Sequence, residues 1–194
     1  MTDPVAFADA DADADAEAAA VAARVQSTFE RVQRERMTGL PFVNEALRVE
    51  LVGLRRWRGL WLGVLVTPWF MNLLLLPGDG LGSGEEPAAS WPTLTTGEYA
   101  PFAFPAGVLS FLAGREGEVG EHLSCSLFSP MFEFADHGTA RQTAEACLAA
   151  LFDVATAQTP AVAADREAPR AVSKRDFLRG RWHAPAEPTS AAER

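Results

Sequence analysis

Cysteine, histidine and lysine are the residues that this sequence has least of: two cysteines, three histidines and one lysine among 194 residues. Two thiols, Cys125 and Cys147, are too few for a disulfide framework or a thiolate metal centre. Positive charge is also scarce, because 17 basic residues face 26 acidic ones and leave a net charge of −9. A general nucleic-acid-binding protein needs a basic surface, so that class is excluded. We predict no cofactor, no resident metal and no nucleic-acid partner.

Apolar runs long enough to cross a membrane are missing too. The longest run, Leu60 to Leu76, has 17 residues and is interrupted by Thr67, Pro68 and Asn72. A membrane helix needs roughly 20 apolar residues. The N-terminus is acidic and no apolar segment follows it, which is unlike an export signal. These features predict a cytoplasmic protein without membrane insertion.

Charge is distributed unevenly and predicts the domain boundaries. Residues 1–23 hold six acids and no base, mostly in an Ala-Asp repeat, whereas residues 161–194 hold seven bases and five acids. Segments without large apolar groups bury too little surface to offset their ordering entropy. We therefore predict a disordered acidic arm at 1–15, a folded domain at 16–157 and a flexible basic tail at 158–194.

Hydrophobic periodicity predicts two helices and about five strands. Residues 16–37 and 139–155 carry apolar stripes at helical spacing, and Asp136 is the expected N-cap of the second helix. Strands are predicted from Leu47 and over 60–66, 70–76, 108–113 and 119–127, with a long loop at 78–98. A consecutive run of strands between two helices is typical of the α+β class. We predict a two-layer sandwich whose antiparallel sheet carries both helices on one face.

Three arrangements could carry chemistry, and each has a simpler structural interpretation. The glycines at 78, 80, 82 and 84 lack the Lys-Ser/Thr of a phosphate loop and precede no helix. Cys125 and His122 suggest a nucleophile with its base, but their odd separation places them on opposite faces of a strand. A metal site would also need Asp136 or His137, at no recognised spacing. We predict a protein that is not an enzyme, with a thiol enzyme using Cys125 as an alternative.

Two aromatic turns are the strongest candidates for contact with a partner. Each lies at a strand end, where the backbone turns and leaves large side chains partly exposed. Trp, Phe and Met at such a rim suit an adaptable site for an apolar peptide. The predicted partner-binding residues are Thr67, Pro68, Trp69, Phe70, Met71, Asn72, Phe128, Ser129, Pro130 and Met131.

Four segments resemble signatures of one known family. They are Thr67-Pro68-Trp69-Phe70-Met71-Asn72-Leu73, Cys125-Ser126-Leu127-Phe128-Ser129-Pro130-Met131-Phe132-Glu133-Phe134, Met37-Thr38-Gly39-Leu40-Pro41 with Asn44, and Phe104-Pro105-Ala106-Gly107. In these segments the chain is similar to the HybE-type chaperones that assemble nickel–iron hydrogenases. The resemblance spans about 25–152 and leaves the acidic arm and the basic tail outside.

The resemblance implies a fold and a role that composition alone does not. HybE-like proteins are cytoplasmic accessory factors with a two-layer α+β sandwich. They hold the small-subunit precursor of a hydrogenase, whose twin-arginine signal peptide would otherwise lead to early export. The implied partner is therefore this precursor, and contact with the large subunit is left open. A scaffold or metal-delivery module in the same pathway is an alternative, and the oligomeric state is left open.

The basic tail contains a segment that is similar to a twin-arginine motif. Ser173-Lys174-Arg175-Asp176-Phe177-Leu178-Arg179 resembles the consensus Ser-Arg-Arg-x-Phe-Leu-Lys, with Lys174 in place of the first Arg. No apolar segment follows it, so we do not expect it to direct export. We predict that Ser173, Lys174, Arg175, Phe177 and Leu178 mimic the signal of the partner. Chance in an Arg-rich tail is the alternative explanation.

Overall fold

The computed structural model describes residues 4–78 and 89–153, with side chains from residue 15 onward. Helix α1 spans Pro4–Val32 and continues as a π-helical turn, Gln33–Met37. The six strands are β1 (Glu50–Trp57), β2 (Leu60–Val66), β3 (Met71–Leu76), β4 (Tyr99–Phe104), β5 (Gly107–Glu116) and β6 (Gly120–Phe128). A 3₁₀ turn, Gly117–Val119, joins β5 to β6, and helix α2 spans His137–Ala150.

The strands form one antiparallel sheet in the order β1-β2-β3-β6-β5-β4. The predicted antiparallel α+β class is confirmed, with six strands where about five were expected. The additional strand is β4, whose buried Ala100, Phe102 and Phe104 alternate with exposed residues. Pro101 obscured this strand in the sequence, because proline is compatible with pairing only at a sheet edge.

The two helices pack on opposite faces of the sheet, so the prediction that they share one face is wrong. Apolar residues of α1 pack with Trp61, Leu65 and Leu74, whereas those of α2 pack with the alternate positions Leu62 and Leu73. Strands β2 and β3 are apolar at nearly every position, and every residue of β2 is buried. A strand that is apolar on both faces needs cover on both faces.

The sheet curls around the core on the α2 side. Trp57 of β1 stacks on Phe104 of β4, with ring centroids 4.4 Å apart, although these strands form opposite edges of the sheet. Phe111 and Leu151 are fully buried in the same core. On the other face, α1 packs over β1–β3 and Val119. Within the described residues, no helix covers the corresponding face of β4 and β5.

The terminal boundaries differ from those predicted. Helix α1 begins at Pro4 and not at Ala16, so it includes most of the acidic arm that was expected to be disordered. Alanine is the strongest helix former and alternates with aspartate there, which favours continuation of the helix. Helix α2 begins at His137, and the Asp136 carboxylate accepts a hydrogen bond from the Thr139 N–H at 2.8 Å, as expected of its N-cap. The predicted tail, 158–194, lies outside the described residues.

Candidate functional site

The first predicted turn is a tight hairpin between β2 and β3. The Thr67 hydroxyl accepts hydrogen bonds from the N–H groups of Trp69 and Phe70 at 3.3 and 2.9 Å, and donates to the Phe70 carbonyl at 2.9 Å. The Thr67 N–H donates to the same carbonyl at 2.8 Å. These bonds direct the Trp69 ring into the core beneath α1, where Phe70 meets Phe29 edge to face at 5.9 Å.

The second predicted turn follows β6 and lies beside the first. Met71 pairs with Phe128, and the Ser129 hydroxyl donates to the Trp69 carbonyl at 3.5 Å. The Ser129-Pro130 peptide bond is cis. The structure therefore brings together the two turns that the sequence singled out.

Asn44 connects both turns to the loop after α1. Its side-chain amide donates to the carbonyls of Met131 and Phe134 at 3.0 and 2.7 Å. Its backbone N–H donates to the Pro68 carbonyl at 2.8 Å. One asparagine thus fixes the relative position of three loops.

Half of the ten predicted partner-binding residues are buried. The buried members are Thr67, Pro68, Trp69, Met71 and Met131. Phe70, Asn72 and Phe128 are half-buried, and Ser129 and Pro130 are exposed. The signatures therefore act mainly in packing, and only the half-buried and exposed residues present surface.

Four exposed apolar residues lie on the loops that Asn44 joins, and only Pro130 among them was in the predicted partner-binding set. They are Leu40, Phe42, Pro130 and Phe132, and we call them the apolar corner. Phe132 is 61% exposed, although it belongs to a recognised signature. One indication was available in the sequence, because Phe132 lies within a signature segment between Met131 and Phe134.

A groove of about 320 Å³ opens on the part of the α1 face where the helix stops covering the sheet. Asn72 and Leu74 of β3, Ser124 of β6 and Leu112 of β5 contribute to its lining. These side chains share one face, because Leu74 and Leu112 both pair with Ser124. The remaining lining residues are Phe29, Leu65, Phe70, Thr96, Gly97, Ala113, Gly114, Arg115, Glu116 and His122.

One residue that lines the groove carries a buried hydrogen-bond acceptor. Asn72 Oδ1 lacks a hydrogen-bond partner within the part of the chain that the structure describes. A buried carbonyl oxygen without a donor is costly, at about 1–3 kcal/mol. Among the ten predicted residues, Asn72 alone both lines the groove and has an unsatisfied buried acceptor in the described part of the chain.

His122 lies across the groove from α1, above Gly114. A Cβ atom at position 114 would come within 2.8 Å of His122 Nε2, so glycine is needed to accommodate the ring. Burial lowers the pKa of His122, although the Gly120 carbonyl at 3.2 Å and the nearby Glu116 carboxylate act to raise it. The Arg36–Glu116 ion pair, at 2.6 Å, occupies the rim.

Acidification is expected to destabilise the fold through His122. The unfolded chain takes up this proton near pH 6.5, whereas the folded groove resists it, so protonation favours unfolding as the pH falls below 6.5. Urea unfolding at pH 7 and pH 5 should show a larger loss of stability for the wild type than for His122→Gln. Equal losses in the two proteins would contradict this assignment.

The two cysteines are core residues. Cys125 pairs with Leu73 and lies in the α2-side core, whereas His122 faces the groove on the opposite side of the sheet. Burial raises the pKa of the Cys147 thiol to about 11, which keeps it protonated at neutral pH. The predicted opposition of Cys125 and His122 is confirmed, and this geometry does not form a thiol–imidazole pair.

His137 has a structural role, because both of its ring nitrogens contact other residues of the protein. Its Nδ1 accepts a hydrogen bond from the Arg48 N–H at 3.3 Å, and Nε2 contacts the Glu50 carboxylate at 2.5 Å. Both ring nitrogens are therefore engaged within the protein. Among the described residues there is no group of three or more His, Cys, Asp or Glu side chains that could hold a metal ion.

Thiol reagents provide a direct test of this interpretation. In the native protein we expect both thiols to react slowly, and in denaturant we expect two thiols to titrate rapidly. Cys125→Ser should lower the free energy of unfolding only modestly, as expected of a residue that acts in packing. Rapid reaction of either thiol in the native protein would restore the thiol hypothesis.

The comparison with known families decides the identity of this fold. The profile of the family described as "NiFe-hydrogenase assembly, chaperone, HybE" matches residues 20–180. The chain belongs to this HybE family. The family consists of assembly chaperones and not of catalytic enzymes, and its role is in hydrogenase maturation. The match extends beyond residue 152, where the sequence resemblance was expected to end, and includes 173–179.

Named relatives agree with the HybE assignment. The hydrogenase expression/formation protein HupJ of Bradyrhizobium diazoefficiens is 41% identical over 153 residues, which cover 79% of this chain and 83% of the relative. Protein HoxT of Cupriavidus necator is 35% identical, with 81% and 87% coverage. The hydrogenase-2 operon protein HybE of Escherichia coli K12 is 31% identical, with 56% and 62% coverage.

The fold also matches a solved HybE structure. The solution structure of HybE from Escherichia coli aligns with a TM-score of 0.54 at 24% identity, covering 79% of this chain and 91% of that one. This likeness supports the fold. In the part of the chain that the structure describes, no helix is long and apolar enough to cross a membrane.

Proposed function

We propose that this HybE-family protein binds the small-subunit precursor of a nickel–iron hydrogenase in the cytoplasm and delays its export until assembly is complete. The groove beside α1 is the proposed site for the twin-arginine signal of that precursor. The observation that carries this proposal is a groove with apolar walls whose lining residue Asn72 has a buried Oδ1 with no donor among the described residues. Contact with the large subunit is not part of the proposal.

The chemistry of the groove suits a peptide in which arginines precede apolar residues. Phe29, Phe70 and Leu112 offer apolar contact to Phe-Leu side chains. A guanidinium group carries five N–H donors, and one of them would satisfy Asn72 Oδ1. Glu116 at the groove end provides a carboxylate, which an arginine of the peptide would share with Arg36.

The two signature turns contribute to this site through five of the ten predicted residues. Phe70 forms part of the groove wall and Asn72 part of its floor. Half-buried Phe128 and exposed Ser129 lie in the adjoining turn, and Pro130 of the same turn belongs to the apolar corner. We propose that the corner contacts the precursor outside its signal, because exposed apolar clusters of this kind mark protein contacts.

Blocking the groove is the sharpest test of the proposed function. Ser124→Trp places a large side chain in the groove, whereas Ser110→Trp places one on the same sheet face at an exposed position outside it. We expect the first variant to lose binding of a fluorescent signal peptide and the second to retain it. Circular dichroism and thermal unfolding would establish that both variants are folded.

Two substitutions at Asn72 provide a second test, because misfolding would not increase the affinity for the peptide. Asn72→Leu removes the acceptor and should weaken binding by about 10- to 100-fold, the value of a hydrogen bond to a charged group. Asn72→Asp should tighten binding of the arginine-containing peptide. Equal affinities for all three proteins would place the signal elsewhere. Co-purification with tagged precursor, with and without its signal, would extend the test to the intact partner.

A further inference from the structure

The family match includes the twin-arginine-like segment of the tail. It ends at residue 180, immediately after Ser173–Arg179, and excludes the last 14 residues of the chain. The segment therefore lies within the part of the sequence that the family profile describes.

The chemistry of this segment complements that of the groove. Residues 170–181 contain five bases and one acid, whereas residues 24–160 contain ten bases and fifteen acids and the groove lining contains one carboxylate, Glu116, and one guanidinium, Arg115. Lys174 and Arg175 precede Phe177 and Leu178, in the same order as the bases and apolar residues of a twin-arginine signal. The segment thus offers cationic donors for Asn72 Oδ1 and Glu116, and apolar side chains for the groove walls.

The length of the intervening chain permits contact within one molecule. The described chain leaves α2 beside β4, where the Leu151 carbonyl accepts a hydrogen bond from the Ala106 N–H at 3.1 Å. Nineteen residues, 154–172, lie between that point and the segment. A coil of this length has a root-mean-square span of about 25 Å and an extended reach of roughly 65 Å. The expected radius of gyration of the domain is about 14 Å, so the groove is within reach.

We propose that segment 173–179 occupies the groove of its own chain and that the precursor signal displaces it. Phe177 and Leu178 lie against the apolar walls, and Arg175 donates to Asn72 Oδ1. Attachment through a short linker gives an effective concentration on the order of millimolar, so a weak contact suffices for high occupancy. The inference rests on the proposed function, since it assigns the same groove to the precursor signal.

The test compares full-length chains that differ only in the tail. Arg175→Glu combined with Phe177→Ser removes the proposed ligand, and Arg166→Glu combined with Val162→Ser is the matched control outside the segment. We expect a labelled precursor signal peptide to bind the first variant about tenfold more tightly than the wild type. The control should bind it with wild-type affinity. Equal affinities for all three chains would overturn the proposal.

A direct binding measurement separates the failure of this inference from the failure of the proposed function. A labelled peptide of residues 170–181 should bind the chain that carries Arg175→Glu and Phe177→Ser. Adding Asn72→Asp to that chain should tighten binding, and adding Ser124→Trp should abolish it. This result would support tail binding whether or not the precursor signal binds. If the tail peptide bound and the precursor signal did not, only the assignment of the groove to the precursor would be refuted. Absence of peptide binding would overturn the tail contact.

Binding within the chain also predicts independence from protein concentration. The tenfold difference between wild type and tail variant should persist as the chain is diluted through the measurable range. If the difference disappeared on dilution, with a dimer dissociating in parallel, the segment would occupy the groove of a second molecule. That outcome would overturn the proposed contact within one chain.

Discussion

Replacement of Trp69 by alanine is expected to lower the free energy of unfolding by about 3–5 kcal/mol, the usual cost of removing a buried aromatic ring. Trp69 is 7% exposed, packs in the core beneath α1 and meets Phe70 edge to face at 5.6 Å. Its loss removes contacts that hold α1 on the sheet and contacts that support Phe70, which forms a wall of the groove. Urea unfolding monitored by circular dichroism would measure the effect.

Phe132→Ala is the matched control for this substitution. Phe132 belongs to the same corner but is 61% exposed, so its loss should change stability by no more than about 0.5 kcal/mol. A small effect at Trp69, or a large one at Phe132, would contradict the packing described above. Trp69 and Met131 were predicted from the sequence to contact a partner, but both side chains are buried, so we expect alanine substitutions there to lower stability.

Replacement of Asn44 by aspartate is expected to cost at least about 2 kcal/mol. The substitution preserves the size of the side chain and the acceptor for the Ala46 N–H, at 3.1 Å, but removes the amide donor. The Phe134 carbonyl then loses its amide donor, the Met131 carbonyl keeps only the Phe134 N–H at 3.3 Å, and both carbonyls face a carboxylate. Each unsatisfied buried acceptor costs about 1–3 kcal/mol.

The same substitution should also loosen the apolar corner, because Asn44 joins the loop carrying Phe42 to the turn carrying Phe132. Faster amide hydrogen exchange over residues 38–47 and 129–135 would report this change. Glu45→Gln, a comparable change at an exposed neighbour, should affect neither stability nor exchange. Wild-type exchange in a stable Asn44→Asp protein would show that the three loops do not depend on this side chain.

Strand periodicity predicted most of the sheet but could not predict which face each helix covers. The segments at 60–66 and 70–76 were recognised because apolar residues run through them, and β5 and β6 were located to within a few residues. Strand β4 was missed because Pro101 and exposed small residues resemble a loop. The face that each helix covers depends on tertiary contacts, since Val25 of α1 packs in one core and Leu148 of α2 packs in the other. The residue pattern within a single segment does not contain this information.

The candidate site was likewise predicted only in part from the sequence. The signature around Trp69 identified the correct region, and Asn72 was already among its residues. Composition could not separate buried members such as Met131 from accessible ones such as Phe132, since both are large and apolar and are neighbours in sequence. The groove was not predicted, because Phe29, Leu112 and His122 are far apart along the chain and meet only when α1 stops short of β5.

By itself the sequence determined the α+β class, the acidic character, the HybE resemblance and the opposition of Cys125 and His122. These properties depend on composition or on spacing within one element, where the side-chain period of a strand or helix is sufficient. Only the tertiary structure decided that the helices lie on opposite faces, that Trp69 is core and that Asn72 Oδ1 has no donor within residues 4–78 and 89–153. Burial and hydrogen-bond satisfaction depend on residues distant in sequence, so they are defined only after the sheet has curled and α1 has packed on it.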